Sequence, residues 1–184
     1  GKTAVKTIEL TKEFLNLKDY ILDFGCGSGG ITNQLASQVS HIDAIDMSSK
    51  MIENAKENAA LLAINNINYQ KTELSSSNGK KYDVIVSFNV LHYINNIETE
   101  LEKVYESLKP EGLFISSTIC LKENINLVRI LMYIFSKIGV LPKTTFYTRK
   151  TLENKITKTR FVIVKSIKIS NLNEYFIVAK KVNN

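Results

Sequence analysis

Two histidines and two cysteines in 184 residues leave little with which to hold a metal ion. Cys26 lies in a glycine-rich stretch, Cys120 near the end of a β-like run, and His41 and His92 stand far apart. None shows the short spacings of a metal site or a disulfide framework, so neither is expected. The beginning of the chain lacks the basic, apolar and small-residue series of a secretion signal. No apolar run has transmembrane length: the most apolar segment, 125–141, is interrupted by Arg129 and Lys137. These absences suggest a cytoplasmic protein without a membrane span. The chain opens at Gly1-Lys2 rather than on methionine, which leaves room for native residues before it.

What is present suits one domain, residues 1–184, with an ordinary hydrophobic core: 44% of residues are hydrophobic and 23% charged. The net charge of +6 is uneven. Residues 1–142 hold 14 Lys/Arg against 16 Asp/Glu, whereas residues 143–184 hold 10 against 2. A basic tail can draw an anionic substrate, a membrane surface or nucleic acid. Here Lys143, Lys150, Lys155, Lys158, Lys165 and Lys168 are scattered rather than run together, which favours a simple solvated coat. Nucleic acid stays open as a lesser alternative.

The stretch that organises the chain is Tyr20-Ile21-Leu22-Asp23-Phe24-Gly25-Cys26-Gly27-Ser28-Gly29-Gly30. Its order of residue types reads as a buried strand, a turn too tight for Cβ atoms, and a helix start near Ile31. Glycines let a ligand approach the backbone closely, and a helix start offers unpaired N–H groups. Two patterns overlap there. Gly25, Gly27 and Gly30 satisfy the dinucleotide fingerprint G-x-G-x-x-G, which alone is a weak signal. Asp23, Gly25, Gly27 and Gly29 spell D-x-G-x-G-x-G. A carboxylate in that turn repels a pyrophosphate but suits an ammonium.

Periodicity predicts a first helix over Ala4–Leu17, with Val5, Ile8, Phe14 and Leu15 at roughly helical spacing. Tyr20–Phe24 reads as the first strand and Ile31–Ser37 as a crossover helix. His41–Asp46 reads as a second strand ending in an acid. Asp46 follows Gly27 by 19 positions, the distance at which a carboxylate at the tip of the second strand takes two ribose hydroxyls. A helix over Met51–Ala63 presents Met51, Ala55 and Ala59 on one face. Strands are expected at Ile67–Gln70, Tyr82–Phe88 and Leu113–Ile119, with a helix over Ile97–Leu108. This alternation argues a doubly wound α/β sheet. Phe161–Ile169 and Tyr175–Lys181 are joined too closely for a parallel crossover and should form an antiparallel hairpin.

Asp23-x-Gly25-x-Gly27-x-Gly29, Asp46 and the terminal hairpin together resemble class I S-adenosylmethionine-dependent methyltransferases of the small-molecule type. The resemblance covers residues 20 to about 119, and the hairpin extends it to the end of the chain. It implies a seven-stranded Rossmann-like sheet, mostly parallel with a C-terminal antiparallel hairpin. It also implies S-adenosylmethionine as cofactor, with S-adenosylhomocysteine as product. Carried over, Gly25, Cys26 and Gly27 pass under the methionine part of the cofactor, within a loop that includes Gly29. Asp23 helps to hold its ammonium. Asp46 binds the ribose, Met47 packs on the adenine, Glu73 reaches the adenine amino group, and the Leu74 N–H meets a ring nitrogen. Glu73 stands where the family more often has Asp. Phe88-Asn89-Val90-Leu91-His92-Tyr93 resembles the segment passing the transferable methyl, which places Asn89 beside the cofactor. Lys109-Pro110-Glu111-Gly112 resembles the turn into the fifth strand. The Asn-Pro-Pro-Tyr type of motif that marks nucleobase and glutamine methylation is absent.

The implied reaction is in-line methyl transfer to a small-molecule acceptor, of hydrophobic or aromatic kind if residues 121–147 form a substrate-covering helical insert. His92 is the positional candidate for a general base, and equally for a structural histidine. The rivals are an RNA methyltransferase using the basic tail, a non-catalytic S-adenosylmethionine-binding module, and a nicotinamide-dependent oxidoreductase using Gly25, Gly27 and Gly30. Asp23 and the terminal hairpin oppose the last.

Overall fold

In the computed structural model, residues 1–74, 80–120, 122 and 144–182 are described. Helix α1 (Lys2–Lys12) leads into β1 (Tyr20–Phe24); α2 (Thr32–Leu35) runs on as a tighter turn over Ala36–Gln38; β2 (His41–Asp46), α3 (Ser49–Leu61) and β3 (Ile67–Lys71) follow. Then come β4 (Tyr82–Phe88), a short turn at Leu91–Tyr93, α4 (Ile97–Ser107), β5 (Leu108–Ile119), α5 (Arg149–Lys158), β6 (Phe161–Lys168) and β7 (Glu174–Lys181). The strands form one seven-stranded sheet in the order β3-β2-β1-β4-β5-β7-β6. The pairs from β3 through β5 are parallel, and β7 runs antiparallel to both β5 and β6.

That order places β1 between β2 and β4, so the chain winds away from β1 in both directions. A crevice opens at the carboxyl ends of strands where such winding reverses. The glycine stretch follows β1 and therefore lies at its mouth.

Both faces of the sheet are covered. Leu22, Ile85 and Phe114 pack beneath Leu101 and Val104 of α4 and Leu152 and Ile156 of α5. Ile21, Ile42, Val84 and Phe176 pack on the other face with Leu35, Ile52 and Ala55. Ser48, Asn96 and Thr148 cap α3, α4 and α5, each accepting a hydrogen bond from the backbone N–H three residues on.

The strand boundaries at Tyr20–Phe24, His41–Asp46 and Tyr82–Phe88 agree with expectation. Several others do not. Helix α1 ends at Lys12, and Val5 is 54% exposed while Thr7 and Thr11 are buried. Their hydroxyls donate to carbonyls one turn back, which removes the penalty of burying them. Met51 is 41% exposed; the inward stripe of α3 is Ile52, Ala55 and Ala59. Leu108 leaves the helix and pairs with Tyr82, and the pairing resumes at Val84 with Leu113. Residues 109–112 thus loop out, held by Lys109 Nζ on the Asp83 carboxylate at 2.8 Å. A Cβ on Gly112 would lie 2.9 Å from the Lys109 carbonyl oxygen, so the bulge demands glycine. Helix α5 had no counterpart in the sequence reading. The apolar segment 125–141, and most of the expected insert at 121–147, lie outside the described residues.

Candidate functional site

Two backbone N–H groups, those of Gly25 and Cys26, donate to one carbonyl, that of Ile45, at 2.8 and 3.0 Å. They tie the glycine loop to the end of β2. Asp46, the last residue of β2, accepts from the Gly27 N–H at 3.0 Å on one oxygen and from the Ser48 N–H at 2.9 Å on the other. Its carboxylate is half-buried and each oxygen keeps a free lone pair, so a vicinal diol can still be received. Holding these two N–H groups and receiving a ribose are therefore compatible.

The glycine pattern can be judged by sterics. Gly25 has φ +81°, and an added Cβ would lie 2.3 Å from Val90 Cγ2, so the segment after β4 packs directly on the loop. At Gly29 an added Cβ would lie 2.5 Å from the Tyr69 hydroxyl. At Gly30 it would meet nothing within 4 Å. The third glycine of a dinucleotide fingerprint is there for close helix–strand packing, and no such packing occurs at Gly30. The spacing that the structure requires is the one running through Gly25 and Gly29.

Asp23 is 2% exposed and accepts a hydrogen bond from the Thr32 hydroxyl at 2.6 Å. Thr32, at the start of α2, was not singled out in the sequence, although a hydroxyl nine residues after a buried acid was the available signal. Burial pushes Asp23 up to about 7; the Thr32 hydrogen bond opposes this and the neighbouring Asp46 charge adds to it. The raised value makes protonated Asp23 stabilising below its unfolded pKa of about 4, a contribution lost as pH rises through 7. A ligand ammonium reverses that balance by favouring the ionised form. Affinity for such a ligand should therefore fall by up to about tenfold per pH unit below 7. Calorimetry at about pH 8 and about pH 5.5 checks this, with Asp23→Asn flattening the profile. A wild-type affinity independent of pH would show that the charge is held elsewhere.

Met47 is 66% exposed beside Asp46, and Glu73 is exposed at the end of β3. Leu74 is buried at 4%, and the Thr72 N–H donates to the Asp46 carbonyl at 3.2 Å. The adenine-side candidates are thus gathered beside the ribose candidate. Cys26 is half-buried with its thiol pushed far up by burial and by the Asp23 and Asp46 charges, which leaves it unreactive.

Asn89 stands directly after β4. It holds φ +58° and its N–H donates to the Ser117 carbonyl, but its side chain turns across the end of β5 and donates to Glu174 Oε1 at 3.1 Å. Its carboxamide thus meets β7 rather than the glycine loop. Glu174 is a 6% exposed carboxylate that sequence reasoning passed over. The signal was one of only two acids in the basic tail, standing at the opening of a strand.

His92 is 5% exposed; its carbonyl accepts from the Thr145 N–H at 2.7 Å, and its Nδ1 is buried with no partner among the described residues. Burial lowers its pKa to about 4. Among the described residues no group of His, Cys, Asp and Glu could hold a metal ion, and no helix is long and apolar enough to cross a membrane.

The sequence profile of the family described as "Methyltransferase domain" matches residues 16–161. A malonyl-[acyl-carrier protein] O-methyltransferase of Priestia megaterium is 35% identical over 112 residues, covering 60% of this chain and 40% of that protein. A ubiquinone biosynthesis O-methyltransferase of Rickettsia typhi is 34% identical over 134 residues, covering 72% and 54%. The chain thus spans about half the length of the curated relatives it matches. Among solved structures, the N-methyltransferase NodS of Bradyrhizobium japonicum with S-adenosylhomocysteine superposes with a TM-score of 0.76 at 16% identity, over 98% of this chain and 86% of that one. A SAM-dependent methyltransferase of Aquifex aeolicus gives 0.75 at 18% identity, over 96% and 89%. At these identities the structural likeness is one of fold.

Proposed function

This chain belongs to the methyltransferase domain family, and from that premise we propose that it moves a methyl group from S-adenosylmethionine to a small-molecule acceptor. The observation that carries the reading is the join between the glycine loop and the tip of β2, made by Asp46 at 3.0 Å from the Gly27 N–H above buried Asp23. The single-domain reading of residues 1–184 and a cytoplasmic site of action belong to the same proposal.

S-adenosylmethionine supplies a methyl carbon already bonded to a good leaving group, the sulfonium. What is left to the protein is alignment in a water-poor crevice. Asp46 fixes the ribose, Asp23 answers the ammonium, and the Gly25–Val90 contact sets how close the segment after β4 stands to the reacting carbon. Asn89 and Glu174 roof the end of β5 on the acceptor side.

A hydroxyl acceptor must also lose its proton, and the unpartnered Nδ1 of His92 is the atom in this reading that takes it. With a pKa lowered to about 4, His92 is neutral throughout the neutral range, and its burial makes it a weaker base than a free imidazole. His92→Ala should lower turnover by about a hundredfold, with cofactor affinity unchanged. The assay is labelled-methyl transfer to the best acceptor from a panel of phenols, carboxylic acids and amines. Unchanged turnover would remove His92 from the chemistry, and failure to label any small molecule would count against the acceptor class.

The distribution of cations supports a small acceptor over nucleic acid. Lys155 pairs with Glu98, Arg160 with Glu102 and Glu106, Lys165 with Glu13, and Lys180 with Glu111. Four of the ten cations in residues 143–184 thus fold back on acids from earlier in the chain, which lowers the surface field a polyanion would need.

A further inference from the structure

The link between β3 and β4 must pass from the carboxyl end of one strand to the amino end of another. β2 and β1 lie between those two strands in the sheet. Among its described residues, 72–74 and 80–81, there is no helix to fasten it. Its near end is held by the Thr72 N–H on the Asp46 carbonyl and by the burial of Leu74. Its far end is held by Lys80, whose ammonium donates to Asp43 Oδ2 at 2.9 Å and to the Tyr20 hydroxyl at 3.0 Å.

Asp43 is built to receive it. Its side chain is 8% exposed, and it accepts hydrogen bonds from Tyr20, from Tyr82 at 3.0 Å and from the Asn68 amide at 3.1 Å. Burial pushes this carboxyl up, but the hydrogen bonds from Tyr20, Lys80, Asn68 and Tyr82 outweigh it and hold the pKa at about 2. Removing Lys80 leaves Asp43 with three neutral donors, so the cluster keeps Tyr20, Asn68 and Tyr82 and loses only its tie to residue 80. Asp43, Lys80 and Tyr82 line one cavity of about 150 Å³ together with Thr72, Glu73 and Leu74.

We infer that the Asp43–Lys80 latch positions the Glu73-Leu74 wall that receives the adenine edge, so that Lys80, far down the strands from the cofactor, sets affinity for the purine. The inference rests on the reading of the crevice as an S-adenosylmethionine site. An isolated surface ion pair contributes little, but this one closes a loop on a buried charge. Lys80 and Asp43 are positioning residues, since neither touches the cofactor.

The test compares S-adenosylhomocysteine with S-inosylhomocysteine, which carries an oxo group where adenine carries its amino group. In the wild type the amino group should strengthen binding through Glu73. In Lys80→Met, S-adenosylhomocysteine should bind roughly two- to thirtyfold more weakly, with the preference over the inosine analogue largely gone. Lys80→Arg should restore both affinity and preference, and Asp43→Asn should behave as Lys80→Met. Lys80 is more than half exposed, so a thermal melt close to wild type is expected for its variants. Three results overturn the latch: an unchanged affinity in Lys80→Met, an equal loss on both nucleosides, or a wild type that does not discriminate between them. Failure of the wild type to bind either nucleoside overturns the underlying cofactor reading instead.

Discussion

Asp46→Ala should weaken S-adenosylhomocysteine binding by at least about a hundredfold, because hydrogen bonds to a charged group contribute about 1.5–3 kcal/mol each and two ribose hydroxyls are lost together. The effect has a second source. The same carboxylate receives the Gly27 and Ser48 N–H groups, so its removal also loosens the glycine loop, which then keeps only the Gly25 and Cys26 bonds to the Ile45 carbonyl. Asp46→Asn separates the two. Its amide oxygen can still accept from one backbone N–H, but it carries no charge and has one acceptor atom instead of two. An intermediate loss of about tenfold is expected. Affinity within threefold of wild type in Asp46→Ala would take the ribose away from this residue.

Gly25→Ala is the variant expected to cost most in stability, about 2–5 kcal/mol from a left-handed backbone carrying a Cβ together with overpacking against Val90. Val90 is itself half-buried and adjoins Leu91, which is 1% exposed, and this limits how far it can yield. Chemical denaturation measures the loss, and cofactor binding should disappear with it. Gly30→Ala is the matched control. With open space around the added methyl, it should resemble the wild type in both stability and affinity. If Gly30→Ala proved as damaging as Gly25→Ala, the packing that defines a dinucleotide fingerprint would be present after all.

The parts of the fold legible in the sequence are those where burial dictates composition. β1, β2 and β4 lie inside the sheet, are covered on both faces, and show as apolar runs with sharp ends. The hairpin was legible from the brevity of its connection. Helix α5 was passed over because lysines dominate its surface, yet Thr148 as a cap and Leu152 with Ile156 one turn apart were there to be read. The start of β5 was hidden by Lys109-Pro110-Glu111-Gly112, which looks like a turn and forms a bulge within a pairing that begins earlier. In the site, the glycine loop and Asp46 could be placed because their roles depend on backbone conformation and strand-end position. The direction of the Asn89 side chain depends on a partner 85 residues away, Glu174, which no local pattern reveals. The Asp43 network was likewise invisible, since its members open or lie within four different strands and meet only in the folded sheet.

The measurement that bears most directly on the central claim is a calorimetric titration with S-adenosylmethionine and S-adenosylhomocysteine, with NAD as control. Micromolar binding of both adenosyl ligands and none of NAD is the predicted result. Binding of NAD without either of them would contradict the account.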